Sequence, residues 1–211
     1  MARTYDNSAR TQLAERTRSA IVATARDLLL DGGYPAMTVA SLAAAAGVSP
    51  QTVYNSVGGK AAVVKAVYDR TMAGDDDEVA MSERPEFRAM FEAADRAAFA
   101  RAYAGWVRER SERVGPLLGA LLAHGTDAAL VDFAATIDQE RYVGTTHAID
   151  GVRDRLGLAQ RHAGKKARQR LVDAVWTLNA PEGYDRLVRR RGWSPAEYED
   201  WLAGQLVALL G

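Results

Sequence analysis

Thr38-Val39-Ala40-Ser41-Leu42-Ala43-Ala44-Ala45-Ala46-Gly47-Val48-Ser49-Pro50-Gln51-Thr52-Val53-Tyr54 is the stretch that decides the fold of this chain. Thr38 can cap a short helix over 38–46, because a threonine hydroxyl accepts from a first-turn N–H. Gly47 stops that helix by taking a backbone conformation that side chains resist. Ser49 followed by Pro50 opens a second short helix over 51–57, with proline in the first turn, where its missing N–H is no loss. Leu42, Ala43 and Ala46 fall on the inner face of the first helix, Val48 plugs the corner and Val53 points back inward, the pattern of a helix-turn-helix. Small side chains at 43–46 let the two helices cross closely. The second helix presents Gln51, Thr52 and Asn55 outward, amides and a hydroxyl able to read base edges in a major groove.

Working outward, a long helix is predicted over 11–31, with Leu13, Ile21, Ala25, Leu28 and Leu29 on one stripe and Gly32-Gly33 as its exit. Gly58-Gly59 ends the second short helix, and Lys60 begins another that lasts to about residue 72. Asp75-Asp76-Asp77-Glu78 then reads as a solvated linker. The expected organisation is therefore a DNA-binding domain over 1–72, an acidic linker over 73–84 and a larger helical domain over 85–211. Within that domain, helical patterns cover 86–113, 116–123, 126–158, 165–179, 181–191 and 195–210. Ser194-Pro195-Ala196-Glu197 has the capping-box spacing that starts the last of them. No fixed-period repeat interrupts this order.

Composition agrees with an all-α fold: Ala makes up 40 of the 211 residues, and alternating β-branched runs are almost absent. There is no Cys, which excludes disulfide frameworks, thiolate metal sites and cysteine nucleophiles and suits a reduced, cytoplasmic setting. The longest apolar stretches fall far short of the ~18 residues that span a bilayer, and the N-terminus lacks the apolar core of a signal peptide, so neither membrane insertion nor secretion is expected. Lys+Arg and Asp+Glu both number 27, so any nucleic-acid partner must be met by a local patch. Residues 1–70 carry a net charge of +3, from eight basic and five acidic groups, and the remainder carries −3. Arg3, Arg10, Arg16 and Arg18 lie before or in the first helix and are candidates for flanking phosphates or a minor groove.

Residues 10–72 resemble the DNA-binding domain of the TetR family of transcriptional regulators. The matching features are a long first helix ending in Gly-Gly-Tyr34, Met37-Thr38-Val39, Ala46-Gly47-Val48-Ser49, Thr52-Val53-Tyr54 and Lys60. The family commonly carries an aromatic residue and an acidic residue where this chain reads Val57 and Ala61. The resemblance implies a sequence-specific regulator, in this reading a repressor, bound to double-stranded DNA at a palindromic operator as a homodimer. Within that frame Gln51, Thr52 and Asn55 are assigned to bases. Thr38, Tyr54 and Lys60 are assigned mainly to phosphate, and Ser49 stands at the recognition-helix N-terminus.

The resemblance extends more loosely to 170–202, where the family places its dimer interface. Here it would involve Leu171, Val175, Leu178, Leu187, Trp201 and Leu206. In the family a ligand in the C-terminal cavity shifts the fourth helix and re-spaces the two DNA-binding heads. Side chains that suit such a cavity, and an unidentified small apolar effector, are Phe99, Tyr103 and Trp106 with Phe133, Ile137, Arg141, Gly144 and His147. A glycine amid an apolar helical stripe leaves room, and sparse polar groups would anchor a ligand. No cofactor, catalytic residue or metal site is expected: His124, His147 and His162 lack metal-ligand spacing, and no phosphate loop, dinucleotide fingerprint or nucleophile elbow occurs. The alternatives are a DNA-binding protein that answers to no ligand and, more remotely, a small helical enzyme.

Overall fold

A computed structural model describes residues 7–74, 83–122 and 127–211, and the described residues contain helices and turns with no strand. In order they are α1 (Asn7–Ala36), α2 (Val39–Ala45), α3 (Pro50–Ser56), α4 (Lys60–Ala73), α5 (Pro85–Phe91), α6 (Arg96–Leu122), α7 (Ala128–Val152), α8 (Leu158–Arg161), α9 (Gly164–Leu178), α10 (Pro181–Tyr184), a π-helical turn (Asp185–Arg190) and α11 (Pro195–Leu210). The all-α expectation holds. The acidic run Asp75–Glu78, Arg3 and His124 lie outside the described residues.

The chain forms two compact units, Met1–Asp77 with Pro116–Phe133, and Glu78–Gly115 with Ala134–Gly211. In the first, Ile21, Ala25 and Leu29 of α1 meet Leu42 of α2, Val53 of α3 and Val63 and Val67 of α4, all fully buried. The four-residue spacing on α1 is what sets those side chains on one stripe. Leu13, placed on the same stripe by the sequence pattern, is instead 66% exposed, so the start of α1 lies beyond this core. Gly33 takes φ 70° inside α1 and kinks it, and Tyr34 beyond the kink is buried. Phe133 belongs to this unit and meets the Tyr68 ring of α4 edge-on at 5.5 Å.

The second unit has its core in Phe99, Tyr103 and Val107 of α6, Ile149 and Val152 of α7, Val172 and Val175 of α9, and Tyr198, Leu202 and Leu206 of α11. Three sequence-derived boundaries change here. The pattern over 86–113 is divided, because Asp95 accepts from Ala98 N–H at 2.8 Å and restarts the chain as α6. Pro116 lies inside α6 rather than opening a helix; Gly115 before it has no Cβ to clash with the proline ring. The pattern over 126–158 stops at Val152, and the chain turns through Gly157 at φ 68° into α8. The last helix matches its expected limits, with both capping-box bonds formed between Ser194 and Glu197.

Gly151 of α7 shows how closely the second unit packs. A Cβ there would stand 2.3 Å from Cε1 of Phe91, whose ring is held against Phe87 and His147. Alanine is favoured over glycine in a helix by about 1 kcal/mol, but forcing an aromatic ring out of a packed cluster costs about 1–3 kcal/mol. Gly151→Ala is therefore expected to lower unfolding stability, as read from the urea midpoint at unchanged m-value.

Candidate nucleic-acid interface

The interface is built on caps that act within four residues of sequence. Thr38 Oγ1 accepts from Ser41 N–H at 3.0 Å, and Ser41 Oγ accepts from Thr38 N–H at 2.9 Å, a reciprocal box that starts α2. At its other end Gly47 N–H donates to Ala44 C=O at 3.3 Å and Val48 N–H to Ala43 C=O at 3.0 Å. This is the paired closure of a Schellman motif, and it requires the left-handed backbone that Gly47 adopts at φ 66°. Ser49 then caps α3, its Oγ accepting from Thr52 N–H at 3.0 Å and lying 2.8 Å from Thr52 Oγ1. The Thr52 hydroxyl is thus engaged in the cap rather than simply presented outward.

Val53 is fully buried, so the opposite face of α3 is the solvent face. Gln51 and Asn55 are exposed one turn apart on it, with Gln51 Nε2 donating to Asn55 Oδ1 at 2.9 Å. That bond leaves Gln51 Oε1 as an acceptor and Asn55 Nδ2 as a donor, the complement that an adenine edge asks for. Tyr54 beside them is 54% exposed, unusual for a large ring. At the start of α4 the N-cap is Gly59, with no side-chain cap. Lys60 there places Nζ 3.7 Å above the Tyr34 ring. Burial pulls the Lys60 ammonium below the usual lysine range, against the opposing charge of Asp127.

Arg18 is one of the arginines that the sequence offers as candidates for DNA. In the structure its Nη1 donates to the Ser56 carbonyl, at the C-terminal end of α3, at 2.8 Å. No pattern within the sequence pairs residues 38 apart, so this contact was not legible beforehand.

Residues 21–67 match the family profile of the bacterial regulatory proteins of the TetR family. Residues 21–67 carry a TetR-family DNA-binding domain. That stretch runs from within α1 into α4 and includes α2 and α3. No curated protein matches the chain. Among solved structures it is similar to NalD, the secondary repressor of the MexAB-OprM multidrug efflux pump in Pseudomonas aeruginosa. The TM-score is 0.59 and the identity 18%, over 93% of this chain and 96% of that one, a likeness of fold. No described helix is long and apolar enough to cross a membrane.

Beyond the TetR-family domain, the C-terminal candidates fall into separate groups. Phe99 and Tyr103 are fully buried, and Trp106 lies 5.7 Å from Tyr103 and 5.4 Å from Phe87. Phe87 also stacks on His147 at 5.9 Å, so α5 supplies a ring that joins the candidates of α6 and α7. Phe133 belongs to the other unit, and Ile137 is half-buried. Gly144 is half-buried with no atom of another element within 4 Å of where a Cβ would stand, and His147 one turn on is exposed. Asp150, one turn from His147, is committed to Arg168 through two oxygens, and that guanidinium holds its carboxyl below the usual range.

Arg141 is joined to Tyr103 by a residue the sequence did not single out. Asn179 Oδ1 accepts from Arg141 Nη1 at 2.5 Å, and its Nδ2 donates to Tyr103 OH at 2.5 Å and to Thr145 Oγ1 at 2.9 Å. Thr145 gives its own hydrogen to the Arg141 carbonyl at 2.8 Å, and Arg141 also donates to the Trp176 carbonyl and to Asp138. Every polar atom of the Asn179 amide is thereby used, and burial pushes the Tyr103 phenol up, keeping it neutral. Asn179→Ala would take the 2.5 Å donor away from the buried Tyr103 hydroxyl and leave it only the 3.4 Å contact with Thr145 Oγ1, at about 1–3 kcal/mol. The expected outcome is a clear drop in the denaturation midpoint, with helix content by circular dichroism unchanged before the transition.

Proposed function

We propose that the chain is a homodimeric repressor that recognises a palindromic operator through α3 and releases it when a small, mainly apolar ligand enters the C-terminal unit. The observation that carries the DNA-reading part is the Gln51–Asn55 pair, held on the exposed face of a helix whose other face is locked by Val53 and whose start is fixed by Ser49. In this reading residues 1–72 bind DNA and 85–211 bind ligand and partner. Thr38, Ser49, Tyr54 and Lys60 contact the backbone around the bases that Gln51, Thr52 and Asn55 address. The aromatic set of Phe87, Phe99, Tyr103, Trp106 and His147, with the room beside Gly144 and the polar group of Arg141, supports a ligand site of mixed character.

A recognition helix of seven residues reads too few base pairs to pick one site in a genome, which is the argument for a twofold-related pair. Leu171, Val175 and Leu206, named for the interface from sequence, are buried in the chain's own core and cannot also face a partner. The proposed interface passes to the half-buried Leu178, Leu187, Trp201 and Leu209, and to Val207, which is 40% exposed.

Three measurements test the proposal. Selection of duplexes from a random library should yield a two-part site with half-site centres about one helical turn apart. On the selected duplex Lys60→Ala should weaken all sequences alike and flatten the salt slope by about one, whereas Gln51→Ala should cost about 1–3 kcal/mol at one base position only. An altered base preference in Lys60→Ala would reverse the assignment. Sedimentation at micromolar concentration should show a dimer that Val207→Glu converts to monomer, and a wild-type monomer with and without DNA would sink the dimer claim.

A further inference from the structure

The end of α3 has no positive charge of its own. Its last turn carries no basic residue, its C-cap Val57 stays out of the left-handed region at φ −128°, and both Val57 N–H and Gly58 N–H donate back to Val53 C=O. Among the described residues no backbone N–H reaches the Ser56 carbonyl, which lies at the negative end of the helix dipole. Arg18 of α1 fills that position with Nη1 at 2.8 Å, bringing a full positive charge to bear on it. The anchoring point is itself held, because Arg70 of α4 donates Nη1 to the carbonyl of Ser19, the residue next to Arg18, at 2.8 Å. Two guanidinium-to-carbonyl bonds thus run from α4 to α1 and from α1 to the end of α3.

We propose that Arg18 is a positioning residue for base recognition: it fixes the tilt of α3, and with it Gln51 and Asn55, rather than binding phosphate itself. This rests on the reading of α3 as the recognition helix. Ser49 holds the start of this seven-residue helix and buried Val53 its middle, and the Arg18 bond to Ser56 holds its far end, so Gln51 and Asn55 lie between held points. Base discrimination needs placement to within a fraction of an ångström, while attraction to phosphate tolerates a small tilt. Loss of Arg18 is therefore expected to lower sequence preference about tenfold and leave the salt dependence in place.

The experiment compares wild type, Arg18→Ala and Arg18→Lys on the duplex selected by the wild-type chain and on a scrambled duplex of equal length, across a salt series. Arg18→Ala should lose about tenfold in affinity for the selected duplex and almost nothing on the scrambled one, with the slope unchanged. Arg18→Lys, with the charge and one donor kept, should recover part of the preference. In the free protein, amide exchange at Val57 and Gly58 should quicken in Arg18→Ala, a readout that needs no DNA. If both duplexes lose equally and the slope falls by about one, Arg18 is a phosphate contact and the proposal is wrong. Unchanged preference, or unchanged exchange at those two amides, overturns it as well. A wild-type chain that enriches no sequence overturns the recognition-helix reading and this proposal together, whereas an enriched site that Arg18→Ala prefers as strongly as wild type overturns this proposal alone. Should Arg18→Ala melt below the assay temperature, Arg18→Lys decides the same question, since a phosphate role predicts full retention of preference and a positioning role a partial loss.

Discussion

Everything on the recognition side depends on the tight crossing of α2 and α3 at Gly47. Each helix is seven residues long, and helices so short are not stable alone in water. They exist because Leu42 and Val53 are withdrawn completely from solvent against α1 and because the left-handed turn closes the carbonyls of α2 while aiming the chain into the Ser49 cap. A side chain at 47 would meet no neighbour within 4 Å, so the demand for glycine there is one of backbone conformation alone. With the turn set, the solvent face of α3 and the uncapped start of α4 keep a fixed spacing.

The second unit is ordered by a different kind of constraint. Its interior holds a small polar network: Arg141 donates to Asn179, Asn179 to Tyr103 and Thr145, and Thr145 to a carbonyl. Inside a low-dielectric core such a set is stabilising only when complete, so it selects one packing of α6, α7 and α9 over its near alternatives. The buried phenols remain neutral, and that of Tyr198 is pushed up to about 12 by desolvation with the nearby Tyr184 adding to it.

Charge on the first unit is placed rather than massed. A chain with no net charge cannot rely on a broad field, so single cations at helix ends carry the electrostatics. Lys60 rests over the Tyr34 ring, which holds the ammonium near the start of α4 at the cost of part of its hydration. Arg70 holds a backbone carbonyl of α1, and Lys65 pairs with Asp69 one turn along α4. The acidic group nearest in effect to both Lys60 and Tyr34 is Asp127, whose carboxylate also accepts from Ala129 N–H at the start of α7.

Sequence by itself determined the features that close within a few residues. Thr38, Ser49 and the Ser194–Glu197 box were readable because a cap hydroxyl meets an N–H two or three positions on, and Gly47 because a left-handed residue must be glycine almost irrespective of its surroundings. The inward face of α1 and the exposure of Gln51 and Asn55 followed from helical period. Tertiary structure decided the rest, since periodicity marks an apolar face without naming its partner. It sent Phe133 to the unit of Tyr68, placed Leu171, Val175 and Leu206 in the chain's own core and let Pro116 remain inside α6. The bonds from Asn179 to Tyr103 and from Arg18 to Ser56 join residues 76 and 38 apart, and no local propensity encodes such pairs. They form only after hydrophobic burial has brought distant helices together, when each buried or helix-terminal polar group must find a donor or acceptor nearby.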